Sequence, residues 1–407
     1  MPFNLIEQCH IYAERIETPT SFLDWGFKVL VAAALRDRIY FRVPNRATRI
    51  YPNIYVLLIG PSAVTRKDNP FHLCSLLLRR LGNTKIFDSK LSMPALIKLL
   101  ADSESNGPKG GSCALIAGEL GAFFVRDETL IADLTDLYNW KAVYEKFVVS
   151  YEIAPIKDLC LTFFAGTNEV MMKSLIDTTA REGGLLGRSF VLIEKTRRFA
   201  DSGYTPGVKY STDEDWFSLI PYLKRLDALR GEVTWEPDAL VEYDRWYKNF
   251  PLEKMPAITG YEGRIQSHVQ KLCMIDAASE YAISPLTTKF TYKIRLDTLN
   301  RAIKECEELI ATYTRITKGS GESPDALPLQ LFLDSVMTAR EHKITKSEIL
   351  TKHLGNMTLS QLDEIVSRML QANLIVHESI NNEIGYSATE KLRREMNPNS
   401  NHHKRGV

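Results

Sequence analysis

Ile54-Tyr55-Val56-Leu57-Leu58-Ile59-Gly60-Pro61-Ser62-Ala63-Val64-Thr65-Arg66-Lys67-Asp68 is the stretch on which the fold turns. It opens with an unbroken apolar run that stops at a glycine, which is how a strand buried on both faces of a parallel sheet reads. A helical pattern begins near Phe71. Strand, glycine turn and helix, with cations in the turn, is the context a phosphate-binding loop requires. Backbone N–H groups at the turn and helix N-terminus then face the anion, and a lysine neutralises its charge. The spacing G-x-x-x-x-G-K-[ST] is not met. Lys67 comes one position late, the inner glycine is absent, and Asp68 stands where a hydroxyl would ligate Mg²⁺. Taking Arg66 for the lysine restores the spacing but puts Lys67 at the hydroxyl position.

Three more apolar runs lie outward from this segment: Cys113 to Glu119, Leu159 to Asn168, and Arg188 to Ile193. Apolar-periodic stretches separate them, so residues 49–211 are expected to form an α/β domain. Residues 1–48 read as a helical segment, with Phe22, Trp25, Val29, Leu30 and Ala33 at helical spacing. From residue 212 to 317 the pattern reads as helical throughout, with helices over 213–228, 237–249, 262–282 and 295–316. Thr317 to Pro324 has linker composition. Residues 327–390 contain three helical patterns and then two strand-like runs around Asn381-Asn382, the plan of a winged helix. The tail 391–407 is polar and reads as disordered.

Composition narrows the class. The chain has 407 residues, of which 25% are charged, and its net charge is +1, so nucleic-acid contacts are expected to be local. The six cysteines are scattered without ligand spacing and read as reduced core residues. No basic leader with an apolar run is seen, and no apolar stretch approaches ~20 residues, so the protein is expected to be cytoplasmic with no membrane partner.

Chemistry-bearing residues recur at strand ends. Glu119 ends one buried strand, where a nucleotide hydrolase keeps the carboxylate that activates water. Asn168 ends another and can orient that water or sense a γ-phosphate. Arg188 follows Gly183-Gly184-Leu185-Leu186-Gly187 and can reach a neighbouring subunit's nucleotide as an arginine finger. Between Glu119 and the next strand, Lys141 and Lys146 are candidate DNA contacts among the aromatics of Trp140 to Phe147. Over residues 325–388 five Lys/Arg face eight Asp/Glu, which suits a protein-docking module better than a DNA reader.

Tyr51-Pro52-Asn53-Ile54-Tyr55, Gly60-Pro61-Ser62 with Arg66-Lys67, Gly118-Glu119-Leu120-Gly121, Leu134, Leu137-Tyr138, Gly166-Thr167-Asn168, Glu182-Gly183-Gly184 with Gly187-Arg188, and Arg264, His268 and Lys271 together carry a resemblance. It is to the P-loop ATPase module of phage, plasmid and mobile-element proteins related to primase–helicases, over about residues 20–316. The resemblance implies a RecA/AAA-like core that binds ATP and Mg²⁺ and assembles into rings on DNA. In that family the late lysine after an arginine is tolerated. This chain departs from it at Ala63, where glycine is usual, at Asp68, and at Gly118, where an acid usually precedes the catalytic glutamate.

The expectation is therefore an ATP-dependent, homo-oligomeric DNA helicase or translocase-like replication factor of a mobile genetic element. It would act on single-stranded or forked DNA, with a partner replication protein docking on the winged helix. Gly60, Pro61, Ser62, Arg66, Lys67 and Asp68 would bind nucleotide, and Glu119, Asn168 and Arg188 would act in catalysis. The alternative is a weakly hydrolysing or non-hydrolysing helicase loader or adaptor. Asp68 separates them: it either ligates Mg²⁺ or repels the phosphates, and sequence alone leans toward repulsion.

Overall fold

The computed structural model describes residues 4–46, 48–88, 93–101, 111–120, 130–145, 155–175, 184–251, 260–317, 326–339, 342–353, 358–380 and 383–396. The chain divides into two compact units, Met1–Thr317 and Lys318–Val407. The first is a mixed α/β structure built on a parallel sheet. Its strands are β3 (Tyr55–Ile59), β4 (Lys85–Phe87), β5 (Ser112–Ala117), β7 (Ile156–Thr167) and β8 (Ser189–Ile193), in the spatial order β4-β5-β7-β3-β8. A short β6 (Lys141–Tyr144) pairs antiparallel with the first residues of β7. All four apolar runs of the sequence are strands here, and β3 and β5 are buried at every residue, as covering on both faces demands.

Helices α1 (Leu5–Tyr12), α2 (Thr20–Leu35) and α3 (Asp68–Leu81) lie on the N-terminal side of the chain. α2 is buried nearly all round, including Lys28, and packs against α3 and the middle strands. Gly26 permits that approach, because a β-carbon there would lie 2.7 Å from the Pro70 β-carbon. The sheet is further flanked by α4 (Met93–Ala101), α5 (Leu130–Leu137) and α6 (Glu169–Leu175). After β8 come α7 (Asp213–Phe217), α8 (Ile220–Asp227), α9 (Pro237–Asn249), α10 (Ile265–Ile283) and α11 (Leu296–Thr317).

Two stretches expected to be wholly helical also contain strands. β1 (Ile39–Val43), β2 (Thr48–Ile50), β9 (Gly231–Trp235) and β10 (Lys293–Ile294) form a separate sheet in the order β10-β9-β1-β2. β1 pairs parallel with β9, Phe41 opposite Val233. The described parts of residues 1–48 and 212–317 thus share a sheet and a core. Their β-branched and aromatic residues alternate over only a few positions, and their partners lie far away in sequence, so helical periodicity nearby hides them.

The second unit holds α12 (Ala326–Thr338), β11 (Lys343–Thr345), α13 (Lys346–Lys352), α14 (Leu359–Gln371), β12 (Ile375–Ile380), β13 (Glu383–Ala388) and α15 (Glu390–Met396). Its antiparallel sheet has the order β11-β13-β12 and closes over Phe332, Val336, Ile349, Leu362 and Tyr386. Thr345 and Glu348 form a reciprocal capping box at the start of α13. The tail expected to be disordered from residue 391 begins instead as α15, anchored by Leu392 in the second unit's core; residues 318–325 and 397–407 lie outside the described residues. Among the described residues no helix is long and apolar enough to cross a membrane. All six cysteines are buried and unbonded, and burial raises the thiol pKa of each, Cys113 to about 12.

Candidate functional site

The carboxyl ends of β3, β5 and β7 meet at one edge of the sheet, since β7 pairs with both neighbours. The chain leaves β3 and reaches β4 at the sheet's far edge, so the strand order reverses beside β3, where open α/β sheets form a ligand crevice. The loop Gly60 to Lys67 rises from β3 into that crevice. Gly60 is required by close approach: a β-carbon would sit 2.8 Å from the Glu194 carbonyl oxygen. Pro61 and Ser62 are exposed on the loop. Ala63 and Arg66 have φ of +63° and +51°. The Arg66 carbonyl is held by the Asn69 N–H at 3.2 Å and the Thr18 hydroxyl at 2.8 Å. A positive-φ residue followed by Lys67 in the right-handed helical region points successive N–H groups to one side, the backbone concavity that binds anions.

The two cations of this loop diverge. Arg66 turns outward and donates from Nε to Glu17 Oε2 at 2.9 Å. The same carboxylate takes Arg197 at 2.7 Å and the Asp201 N–H at 2.9 Å; that N–H bond chiefly holds the Glu17 pKa below its ordinary value, with Arg66 and Arg197 adding. Arg66 therefore braces the loop and does not face the crevice. Lys67 turns inward and is only 3% exposed. Its Nζ lies 3.4 Å from the Gly60 carbonyl oxygen and 3.8 Å from Glu119 Oε1. A long ion pair to a half-exposed carboxylate is worth at most about 1 kcal/mol, little against the cost of burying an ammonium. Lys28 shows the fully paired alternative: it is equally buried, but is bonded to Asp24, 3.0 Å from Glu305 and 5.0 Å from the Trp25 ring centre.

Further polar groups lie at the same end of the sheet. Glu119 follows β5, with 54% of its side chain exposed. Asp68 opens α3, and its Oδ1 lies 4.0 Å from the position a Gly118 β-carbon would take. The acid that the resemblance implies at position 118 is met in space by one from α3. Asn168 follows β7 and accepts the Met171 N–H at 2.9 Å through Oδ1, capping α6, so its remaining amide face is the one a ligand can use. Beside it the Thr167 hydroxyl is fully buried and has no hydrogen-bond partner.

Arg188 is not among them. It precedes β8, whose Ser189 lies level with Tyr55 at the start of β3. The length of β3, five residues at ~3.3 Å each, separates it from the loop by about 17 Å. A short 3-10 turn (Leu186–Arg188) carries it. The turn is fixed by the His268 Nε2–H to the Gly187 carbonyl at 3.1 Å and by the Tyr313 hydroxyl to the Ser189 carbonyl. Arg188 Nη1 donates to the Gly184 carbonyl at 2.9 Å, while Nε is buried without a partner. Burial, then the nearby Arg264, hold its pKa below the ordinary arginine value.

Arg264, His268 and Lys271 fall on one face of α10 and its first turn. Lys271 Nζ donates to Tyr51 O, Asn53 O and Asn53 Oδ1 at 2.9, 2.6 and 2.8 Å. Burial pulls its pKa down to about 7, against three acceptors that favour the ammonium. The Tyr138 ring lies between Lys271 and Arg188, 4.6 and 5.9 Å from its centre. Sequence reasoning assigned no role to Asn53, Tyr138 or Lys271. The basic residues at i, i+4 and i+7 were the available signal, and ordinarily such a stripe marks a solvated face.

The nucleic-acid candidates fare differently. Lys141 Nζ is paired with Asp136 at 2.5 Å and lies 4.8 Å from the Tyr144 ring centre. Its charge is already committed within the protein. Lys146 lies outside the described residues. In the second unit Lys343 pairs with Glu378, Lys346 with Asp363, and Arg368 with Glu364. Among the described residues no cluster of three or more His, Cys, Asp or Glu side chains is arranged to hold a metal. No family profile matches the chain, and no curated protein sequence matches it.

Proposed function

We propose that the first unit is a P-loop ATPase with a RecA/AAA-like core, working as a ring-forming DNA helicase or translocase-like replication factor of a mobile genetic element. The observation that carries this reading is Lys67, a buried lysine with two long contacts, at the mouth of a backbone concavity where parallel strands end. Such an ammonium is completed by an anion from outside. The donor set suits a triphosphate: Lys67, the N–H groups of the loop and the N-terminus of a 14-residue helix. Mg²⁺, when bound, offsets charge on the phosphate oxygens. Asp68, beside Gly118, is the residue to hold it.

Glu119 is half exposed at the same edge and takes the proton of the attacking water. Asn168 presents its Nδ2 side toward that water. Arg188 lies at the opposite end of the sheet, too far to serve its own subunit's loop. It serves a neighbour's nucleotide if subunits meet head to tail, the contact that closes rings. The helix–strand–helix–helix–hairpin order of the second unit supports a winged helix. Its paired cations favour docking of a partner replication protein over unaided DNA binding.

A second reading, a loader or adaptor that binds nucleotide and barely hydrolyses it, is favoured by Asp68 at the helix start and by the acidic stretch 325–388. One experiment decides between them: ATP turnover with and without single-stranded DNA, alongside mass measurement in ATP. Stimulated turnover by an oligomer supports the motor. Tight nucleotide binding with negligible turnover supports the adaptor, and absence of nucleotide binding removes both.

A further inference from the structure

Away from the strand-end crevice, the small sheet and α9 line an open cavity of about 700 Å³, well inside the range of small-ligand sites. Ile50, which lines it, lies just before β3. The cavity therefore sits toward the amino end of that strand, whereas the Lys67 loop leaves the carboxyl end.

Its wall is a column of rings. Strand alternation puts Val233 and Trp235 on one face of β9, and the β1 register brings Phe41 opposite Val233. Pro237 opens α9 directly after β9, and the helix returns with Tyr243 and Tyr247 one turn apart. Phe41 and Trp235 are stacked at 4.6 Å and 27°, Trp235 and Tyr243 at 4.7 Å and 22°. Tyr243 and Tyr247 stay near parallel at 23° but stand 6.3 Å apart. The column loosens toward Tyr247, which is 44% exposed. Another parallel run, His268–Tyr261–Tyr313, lies in the core with every ring buried, whereas this column ends on an exposed ring. A run of parallel faces is the form that a further planar ring extends.

α10 contributes Gln270 to the lining, only 5% exposed, with no hydrogen-bond partner for Oε1. A buried amide oxygen left unbonded is costly. Its last torsion is soft, so either the oxygen or the nitrogen can be turned into the cavity. An amide sets a donor beside an acceptor, the pattern that reads a base edge such as adenine N6 and N7. The cations at the rim are neutralised: Arg42 by Glu232 at 3.1 Å and Lys248 by Asp244 at 2.6 Å. Recognition therefore falls on the ring and its edge, not on phosphate.

We infer that the cavity between β1, β9 and α9 binds a nucleobase, stacked on the Trp235–Tyr243–Tyr247 column and read by Gln270. This is independent of the ATPase reading. The base can come from a free nucleoside or from single-stranded DNA.

The test uses the full chain and two probes, 2-aminopurine riboside and an oligonucleotide of about a dozen nucleotides carrying one 2-aminopurine. The emission of this base falls when it stacks. Saturable quenching is expected with a shallow salt dependence, because few phosphates are neutralised. Quenching of both probes identifies a nucleoside site; quenching of the oligonucleotide alone identifies a strand-borne base. Tyr247→Ala is expected to weaken binding about tenfold, within the range for loss of a stacking partner. Gln270→Leu is expected to weaken binding and to level the competition between purine and pyrimidine nucleosides. Tyr243→Leu is the stronger variant; should it misfold, the surface position of Tyr247 keeps the test standing. Absence of quenching for both probes, or wild-type quenching in Tyr247→Ala and Gln270→Leu, overturns the proposal.

Discussion

The two ends of the parallel sheet hold their cations in opposite ways. At the carboxyl ends Lys67 is buried beside acids that face the crevice, Glu119 at 3.8 Å and Asp68 one residue on. At the amino ends Arg188, Arg264 and Lys271 are held by backbone carbonyls and the Tyr138 ring, and among the described residues none is ion-paired with a carboxylate. A carbonyl dipole orients a cation without cancelling its charge, so the amino-end cluster keeps its positive field, whereas the carboxyl end offers both signs. Under the proposed function the first end takes the nucleotide and the second completes a neighbour's site. The contrast also explains why the amino-end residues tolerate burial: each sits among fixed dipoles that need no reorganisation.

Breaking both ends at once gives the largest expected effect. Glu119→Gln and Arg188→Ala should each bind a fluorescent ATP analogue near normally and each lose turnover by on the order of a thousandfold. Mixed together they should regain part of the activity, because one interface in the mixture pairs an intact glutamate with an intact arginine. A mixture as inactive as either parent, from variants that still assemble, removes Arg188 from a role between subunits.

The divergence of the loop's two cations gives the next effect. Lys67→Ala should weaken nucleotide binding roughly 10- to 100-fold, the scale of about 1.5–3 kcal/mol for a hydrogen bond to a charged group. Arg66→Ala should change it by no more than about threefold, since Arg66 pairs with Glu17 outside the crevice. The opposite ranking in a titration would restore the register in which Arg66 is the phosphate ligand.

The spatial pairing of Asp68 with Gly118 turns the sequence-based expectation around. If the acid has moved from strand to helix, Asp68→Ser should lower the Mg²⁺-dependent part of nucleotide affinity about tenfold, on the scale of one charge-assisted contact. Gly118→Asp in the same chain should recover it. Tighter binding by Asp68→Ser alone means that the carboxylate repels the phosphates, and that outcome favours the adaptor.

Much of this site was legible because its residues sit where buried strands end, and unbroken apolar runs locate those ends in sequence. The helix over 237–249 and the loop itself were legible for similar reasons: their signals are local. What was hidden depended on distant partners. Glu17 decides where Arg66 points, across 49 positions. β1 and β9 pair across 192 positions, Ile39 opposite Gly231, and neither is long enough to outweigh the helical patterns beside it. Lys271 was part of the resemblance, but what it does was hidden because its acceptors on Tyr51 and Asn53 lie 220 and 218 positions away.

The smallest expected effect concerns the histidine that fixes the Arg188 turn. Burial, helped by the charges of Lys271 and Arg264, holds His268 down to about 3 from an ordinary 6.5. The folded protein therefore keeps it neutral, with the Nε2 proton donated to the Gly187 carbonyl. Below pH 6.5 the unfolded chain takes up a proton here that the folded chain refuses until about pH 3, so acid favours unfolding across that window and stability rises with pH through it. At pH 5 this histidine should cost about 1–2 kcal/mol of stability relative to pH 7.5, seen as a fall of a few degrees in Tm. His268→Gln retains an N–H for Gly187 and cannot titrate, so it should remove this part of the acid slope while leaving Tm at neutral pH nearly unchanged. The same variant should keep ATP binding, and its turnover reports whether the Gly187 bond positions Arg188. A Tm profile for His268→Gln that parallels the wild type down to pH 5 would show that His268 takes up its proton as readily folded as unfolded, and the amino-end cluster would then carry the histidine's charge as well.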